Sequence, residues 1–184
     1  MHSERRPTRR WRSAWLLGAT LWSAAAAADP ALTEYDVKAG FLYNFATLVD
    51  WPAPTPKKLT LCIVGEDPLG KVRAFLDGKL VGERALVVRS TPIGPELRDC
   101  QIVYVAPSQR DVKPVVAAVG SRTVLTIGDH EGLAAQGLVA GFYREGERIR
   151  FEINVDAVRR AHLPLSSRLL NLARIVHDAE PVHE

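Results

Sequence analysis

The chain has 184 residues, with 24 Lys and Arg against 21 Asp and Glu and a pI near 9.0. That basic excess belongs to the first 28 residues; beyond them the chain holds 19 basic and 20 acidic side chains. With charge so balanced and interspersed, electrostatics gives no case for nucleic acid or an anionic membrane as partner.

The first 28 residues read as an export signal. Arg5, Arg6, Arg9, Arg10 and Arg12 form a basic head, an apolar run covers 13–27, and small residues lead to a cleavage point after Ala28. The run is about 15 residues long and rich in alanine, short of the ~20 that a membrane-spanning helix needs, so cleavage is expected over anchoring. Thr8-Arg9-Arg10-Trp11 faintly resembles a twin-arginine signal, but arginine pairs are what any basic head looks like, and ordinary secretion is the favoured reading. No cysteine near the cleavage point invites lipid attachment. The mature chain, 29–184, suits a single domain in size.

Thr33 is placed to cap a helix running to about Val49. Tyr35, Val37, Lys38, Phe41, Leu42, Phe45, Leu48 and Val49 recur there at helical spacing, and Trp51-Pro52 stops the helix. Short apolar runs and amphipathic stretches then alternate. The pattern predicts strands over 59–64, 85–89, 101–106 and 123–127, helices over 69–76 and 108–119, and a helical turn over 95–98. Ser108 is the expected cap of the 108–119 helix and Gly120 its end. Continuous β-branched strands are those of a mostly parallel sheet with helices on both faces. An alternating pattern over 138–143 and 148–153, joined at Arg144-Glu145-Gly146, predicts an antiparallel C-terminal hairpin at the edge of that sheet. A turn over 156–162 and a helix over 166–177 complete an α/β fold.

Two cysteines remain in a chain bound for an oxidising compartment, Cys62 within one apolar strand and Cys100 at the start of another. They are expected to pair, the alternative being two buried thiols. The bridge would close a loop of about 39 residues, for which chain entropy gives roughly 4 kcal/mol. No second Cys or His stands at ligand spacing from either, so no metal site is expected.

Catalytic signatures fail one by one. Gly65-Glu66-Asp67-Pro68-Leu69-Gly70-Lys71 copies the spacing of a phosphate-binding loop, yet Val72 stands where a hydroxyl must hold magnesium and Pro68 removes an amide. It reads as a strand-to-helix turn with Asp67 as cap. There is no Gly-x-Ser-x-Gly, the histidines are unpaired in sequence, and Asp129-His130-Glu131 reads as a solvated loop. Glu152 falls on the hairpin face opposite Phe151 and Ile153, with Arg148 or Arg150 as expected partner. Neither an enzyme nor a cofactor is indicated. The feature that stands out is the aromatic load of the first helix and its exit. Of its members, Phe41, Tyr43 and Trp51 are the candidate partner-binding residues.

At these residues the chain resembles the YfiR family of periplasmic proteins. The matching pieces are Val37-Lys38-Ala39-Gly40-Phe41-Leu42-Tyr43-Asn44-Phe45 with Trp51-Pro52, Leu61-Cys62-Ile63-Val64-Gly65 with Asp67-Pro68-Leu69-Gly70, and Cys100-Gln101-Ile102-Val103-Tyr104. Arg150-Phe151-Glu152-Ile153-Asn154 and the segment 163–173 follow in family order. The resemblance implies a periplasmic α/β protein that forms homodimers. It further implies repression of a YfiN-type inner-membrane diguanylate cyclase through its periplasmic sensor domain, with sequestration by an outer-membrane lipoprotein of the YfiB type. Cys62 and Cys100 match a family disulfide, whereas the cysteines of a second family bridge are missing here. The other function class to weigh is a small-molecule binder whose ligand sits beyond the strand ends, at 65–69, 106–109 and 128–130.

Overall fold

The computed structural model describes residues 32–53 and 56–179. The expected leader and its cleavage point lie outside the described residues. The first helix, α1 (Glu34–Thr47), is opened by a capping box: Thr33 Oγ1 accepts from the Asp36 N–H at 3.2 Å, and the Thr33 N–H donates to Asp36 Oδ2 at 2.7 Å. At the other end the Trp51 indole N–H donates to the Ala46 carbonyl at 2.8 Å, satisfying an acceptor that the helix leaves open.

The strands are β1 (Lys58–Val64), β2 (Leu80–Val81), β3 (Arg84–Ser90), β4 (Ile102–Val105), β5 (Leu125–Gly128), β6 (Ala140–Glu145), β7 (Arg148–Asn154) and β8 (Arg174–Val176). They form one eight-stranded sheet in the order β2-β3-β1-β4-β5-β6-β7-β8. β3, β1, β4, β5 and β6 run parallel, as the continuous apolar runs predict; β2 and β7 pair antiparallel with β3 and β6. The hairpin of β6 and β7 is present, with β8 lying beyond it and parallel to β7.

Strand alternation divides the interior into two cores, one on each face of the sheet. Leu59, Leu61 and Ile63 of β1 face α1, together with Ile102, Tyr104, Ile127, Phe142 and Phe151. Cys62 and Val64 face the opposite way, into a core with Leu97, Cys100, Val103, Val105, Val115 and Val119. That second face is covered by the short 3-10 helix Pro95–Asp99 and by α3 (Lys113–Val119). Cys62 and Cys100 are bonded there, with their Cα atoms 5.9 Å apart.

Four local expectations need correction. The 69–76 segment is a 3-10 turn, Gly70–Val72, that passes into a single α-turn, α2 (Arg73–Leu76). Ser108 caps no helix: α3 begins five residues later, where Pro114 fits the first turn because its missing N–H would have no helical partner. The 156–162 turn is a helix, α4 (Val155–Arg160), capped by Asn154 through its side-chain oxygen. The last helix, α5 (Ser167–Leu172), is far shorter than 166–177, because Arg174-Ile175-Val176 pairs as β8 instead. Two β-branched residues in that run, and the cation that Arg174 brings to a buried carboxylate described below, favour strand over helix.

Replacing both cysteines with alanine is expected to lower unfolding free energy by up to about 4 kcal/mol, the loop-closure value. Urea denaturation of the double variant against the oxidised protein checks this. An unchanged midpoint would leave the bridge without a stabilising part.

Candidate interaction surface

Lys38 lies on the stripe of α1 that also carries Leu42 and Phe45, so the helix presses an ammonium against the sheet. Its side chain is 6% exposed and forms ion pairs with Glu34, one turn earlier, and with Asp129 at the end of β5. Asp129 in turn accepts from the Tyr104 hydroxyl of β4, and the Tyr35 ring lies 4.9 Å from the Lys38 ammonium. Burial opposes charge on Lys38, but the contacts with Asp129 and Glu34 outweigh it and hold the ammonium above its usual range. Burial holds the Asp129 carboxyl above its usual range, against the opposing pull of Lys38 and Tyr104. The Tyr104 hydroxyl is pushed far up by burial and by the neighbouring Asp129 charge, so it stays a donor. The solvated loop expected at 129–131 is thus corrected at its first residue, where Asp129 is buried and bonded.

A second buried carboxylate lies nearby. Glu152 of β7 is 2% exposed; it accepts from the Gly132 N–H at 3.1 Å and from Arg174 of β8 at 2.6 Å. Its partner is therefore Arg174, not Arg148 or Arg150 as alternation implied. Arg174 also reaches Glu131 at 3.0 Å and stacks 3.9 Å over the Tyr143 ring. Gly141 leaves room for this arrangement, since a Cβ there would stand 3.2 Å from Glu152 Oε1. A cleft of about 280 Å³ opens between these clusters, walled by Glu34, Lys38, His130, Tyr143 and Arg144. Its charged walls are already paired with one another, Arg144 with Glu34 at 3.1 Å and Lys38 with Glu34 and Asp129. A charged ligand would have to displace those pairs.

The strand-end crevice is largely closed at β1 and β4. Gly65 has φ +95°, and a Cβ there would come within 2.7 Å of Ser108 Oγ. Ser108 also accepts from the Glu66 N–H at 2.8 Å. The loops over 65–69 and 106–109 thus pack against each other, and the phosphate-loop look-alike is a turn in which Asp67 accepts from the Leu69 N–H at 2.9 Å.

Of the three partner-binding candidates, Phe41 is half-buried in an aromatic cluster with Phe45, Phe142 and Phe151, at ring separations of 6.2, 5.9 and 5.5 Å. Its rim lines two grooves. One, of about 300 Å³, runs between α1 and α5, beside Phe45, Phe151, Leu169 and Leu172. The other lies between the start of α1 and the β6–β7 hairpin. Tyr43 is half-buried and points to the opposite sheet edge, donating to the Leu80 carbonyl at 2.8 Å. Trp51 is half-buried at the helix exit. The three do not converge. Missed by sequence were Leu172, 65% exposed and lining Phe41's first groove, and Ile175, 46% exposed on β8. An apolar run interpreted as one long helix gave no sign that its end turns outward.

A family model described as YfiR/HmsC-like matches residues 35–174. The chain belongs to the YfiR/HmsC-like family. The match spans α1 to the first residue of β8 and so takes in both buried carboxylate clusters, the disulfide and Phe41. Membership suggests a periplasmic regulator of cyclic di-GMP signalling rather than an enzyme. Among the described residues no helix is long and apolar enough to cross a membrane.

Lys38→Met should strand Asp129 as an uncompensated buried carboxylate and cost about 3–5 kcal/mol at neutral pH. In the parent protein Lys38's contribution is present at neutral pH and is lost only as pH climbs through its raised value. In the variant the stranded Asp129 favours its protonated form more than the unfolded chain does, so the deficit shrinks as pH falls. Urea midpoints at pH 7 and pH 5 test this; a deficit that widened at pH 5 would contradict the pairing.

Proposed function

We propose that this protein is a periplasmic repressor that holds down cyclic di-GMP synthesis by docking on the periplasmic sensor domain of a YfiN-type inner-membrane diguanylate cyclase. The family match carries this reading, and the α1–α5 groove supplies a surface of the right kind: an aromatic floor of Phe41, Phe45 and Phe151 with the exposed Leu172 at its lip. The mature chain starts after Ala28 and acts as one domain and as a homodimer. An outer-membrane lipoprotein of the YfiB type relieves repression by competing for the protein. Phe41 is the principal anchor, with Tyr43 and Trp51 framing the same helix. Activity in this scheme needs no bound cofactor, because surface recognition alone shifts the cyclase between states.

The test is capture of the sensor domain of a diguanylate cyclase encoded beside this gene, read by biolayer interferometry and by cellular cyclic di-GMP. Binding is expected, and Leu172→Glu should weaken it tenfold or more and raise cyclic di-GMP. Because Leu172 is mostly exposed, the variant should melt with the parent. Failure of the parent protein to bind the sensor domain would remove the proposal. Binding unaffected by Leu172→Glu would move the docking face elsewhere.

A further inference from the structure

β7 is seven residues long, but β8 pairs only with its last three, Glu152, Ile153 and Asn154. Residues 148–151 therefore have β6 on one side and no described strand on the other. Main-chain donors and acceptors on such an edge form a template for another strand. The opposite end of the sheet is less open: β2 has two residues, and its Leu80 carbonyl is already taken by the Tyr43 hydroxyl. Beside the open stretch lies a groove of about 440 Å³ walled by Val37, Phe41 and Ile149, with Arg144, Arg148 and Arg150 on its rim.

The charges at this edge choose among occupants. Arg148 and Arg150 are both exposed and alternate onto one side of the strand. Arg150 holds Glu145 through Nε at 3.1 Å, and Arg144 holds Glu34 at 3.1 Å; Arg148 makes no ion pair with a described residue. Glu147 sits in the hairpin turn, beyond the pairing stretch. Antiparallel pairing with a second copy about a two-fold axis would set Arg148 against Arg150 across the junction, and like charges placed opposite are destabilising. The same pair favours a strand that brings carboxylates.

We propose that residues 148–151 of β7 form a strand-addition site for an extended acidic segment of a partner protein, with carboxylates against Arg148 and Arg150 and apolar side chains in the groove beside Ile149 and Phe41. The site shares the Phe41 ring with the α1–α5 groove but lies on its hairpin side, and it does not depend on which protein supplies the strand.

The experiment titrates the ¹⁵N-labelled protein with an end-blocked six-residue peptide of alternating Glu and Val, and with its Lys and Val counterpart. Saturable amide shifts and slowed amide exchange are expected at residues 148–151 with the Glu peptide at millimolar concentration, and none with the Lys peptide. Arg148→Glu with Arg150→Glu, its fold checked by an unchanged circular dichroism melt, should weaken the Glu peptide at least tenfold and admit the Lys peptide. Shifts centred elsewhere, no response, or equal response to both peptides would overturn the proposal. So would concentration-dependent shifts at residues 148–151 without peptide, which assign the edge to a second copy.

Discussion

The ion pair of Lys38 with Asp129 fixes how the first helix lies on the sheet. Both groups are removed from water, and an unpaired charge at either place would cost several kcal/mol. The pair is therefore satisfied at one rotation and one axial position of α1. Tyr104, from the neighbouring strand, occupies the second carboxylate oxygen and so links the helix to two parallel strands at once. A purely apolar contact would allow the helix to slide with little change in buried area. This polar one sets the depth at which Phe41 and Phe45, one and two turns further along, meet Phe142 and Phe151.

Much of the fold was legible because its strands advertise themselves. Continuous runs such as Leu61-Cys62-Ile63-Val64 leave no polar face, which implies cover on both sides, and the two cores on either face of β1 supply it. The capping box at Thr33, the stop at Trp51-Pro52 and the hairpin alternation are local signals, and each held in the structure. What went unread was long-range. Nothing local says that Ile175-Val176 leaves the helical path to pair with β7, since the reward lies in Glu152, more than twenty residues earlier. Ser108 likewise has the look of a helix cap, but tertiary contact gives its oxygen to Glu66 instead.

The candidate site was legible in part and for a similar reason. Aromatic load marked α1, but sequence spacing cannot tell a ring that fills the core from one that stands at its rim. Phe41 does both, whereas Tyr43 and Trp51 lie elsewhere on the same helix and its exit. One signal was present and unused: Lys38 at a core-facing position requires a carboxylate, and Asp129, ending an apolar strand, was the acid most exposed to that demand.

The two buried carboxylates also explain why the surface beside α1 is split in two. Asp129 takes its cation from α1 and Glu152 takes its cation from β8, so both cations approach from opposite sides of the β6–β7 hairpin. β8 begins opposite Glu152 and runs on beside Ile153 and Asn154, with Arg174 at its first position reaching Glu152 and Glu131 and stacking on Tyr143. The strand's first half is left without a neighbour as a consequence of where the buried charge lies. Shortening of α5, exposure of Leu172 and the open stretch of β7 are then one event, the conversion of a helical ending into a strand that neutralises a buried acid. Had residue 152 been apolar, the 166–177 helix would have had no electrostatic reason to end early.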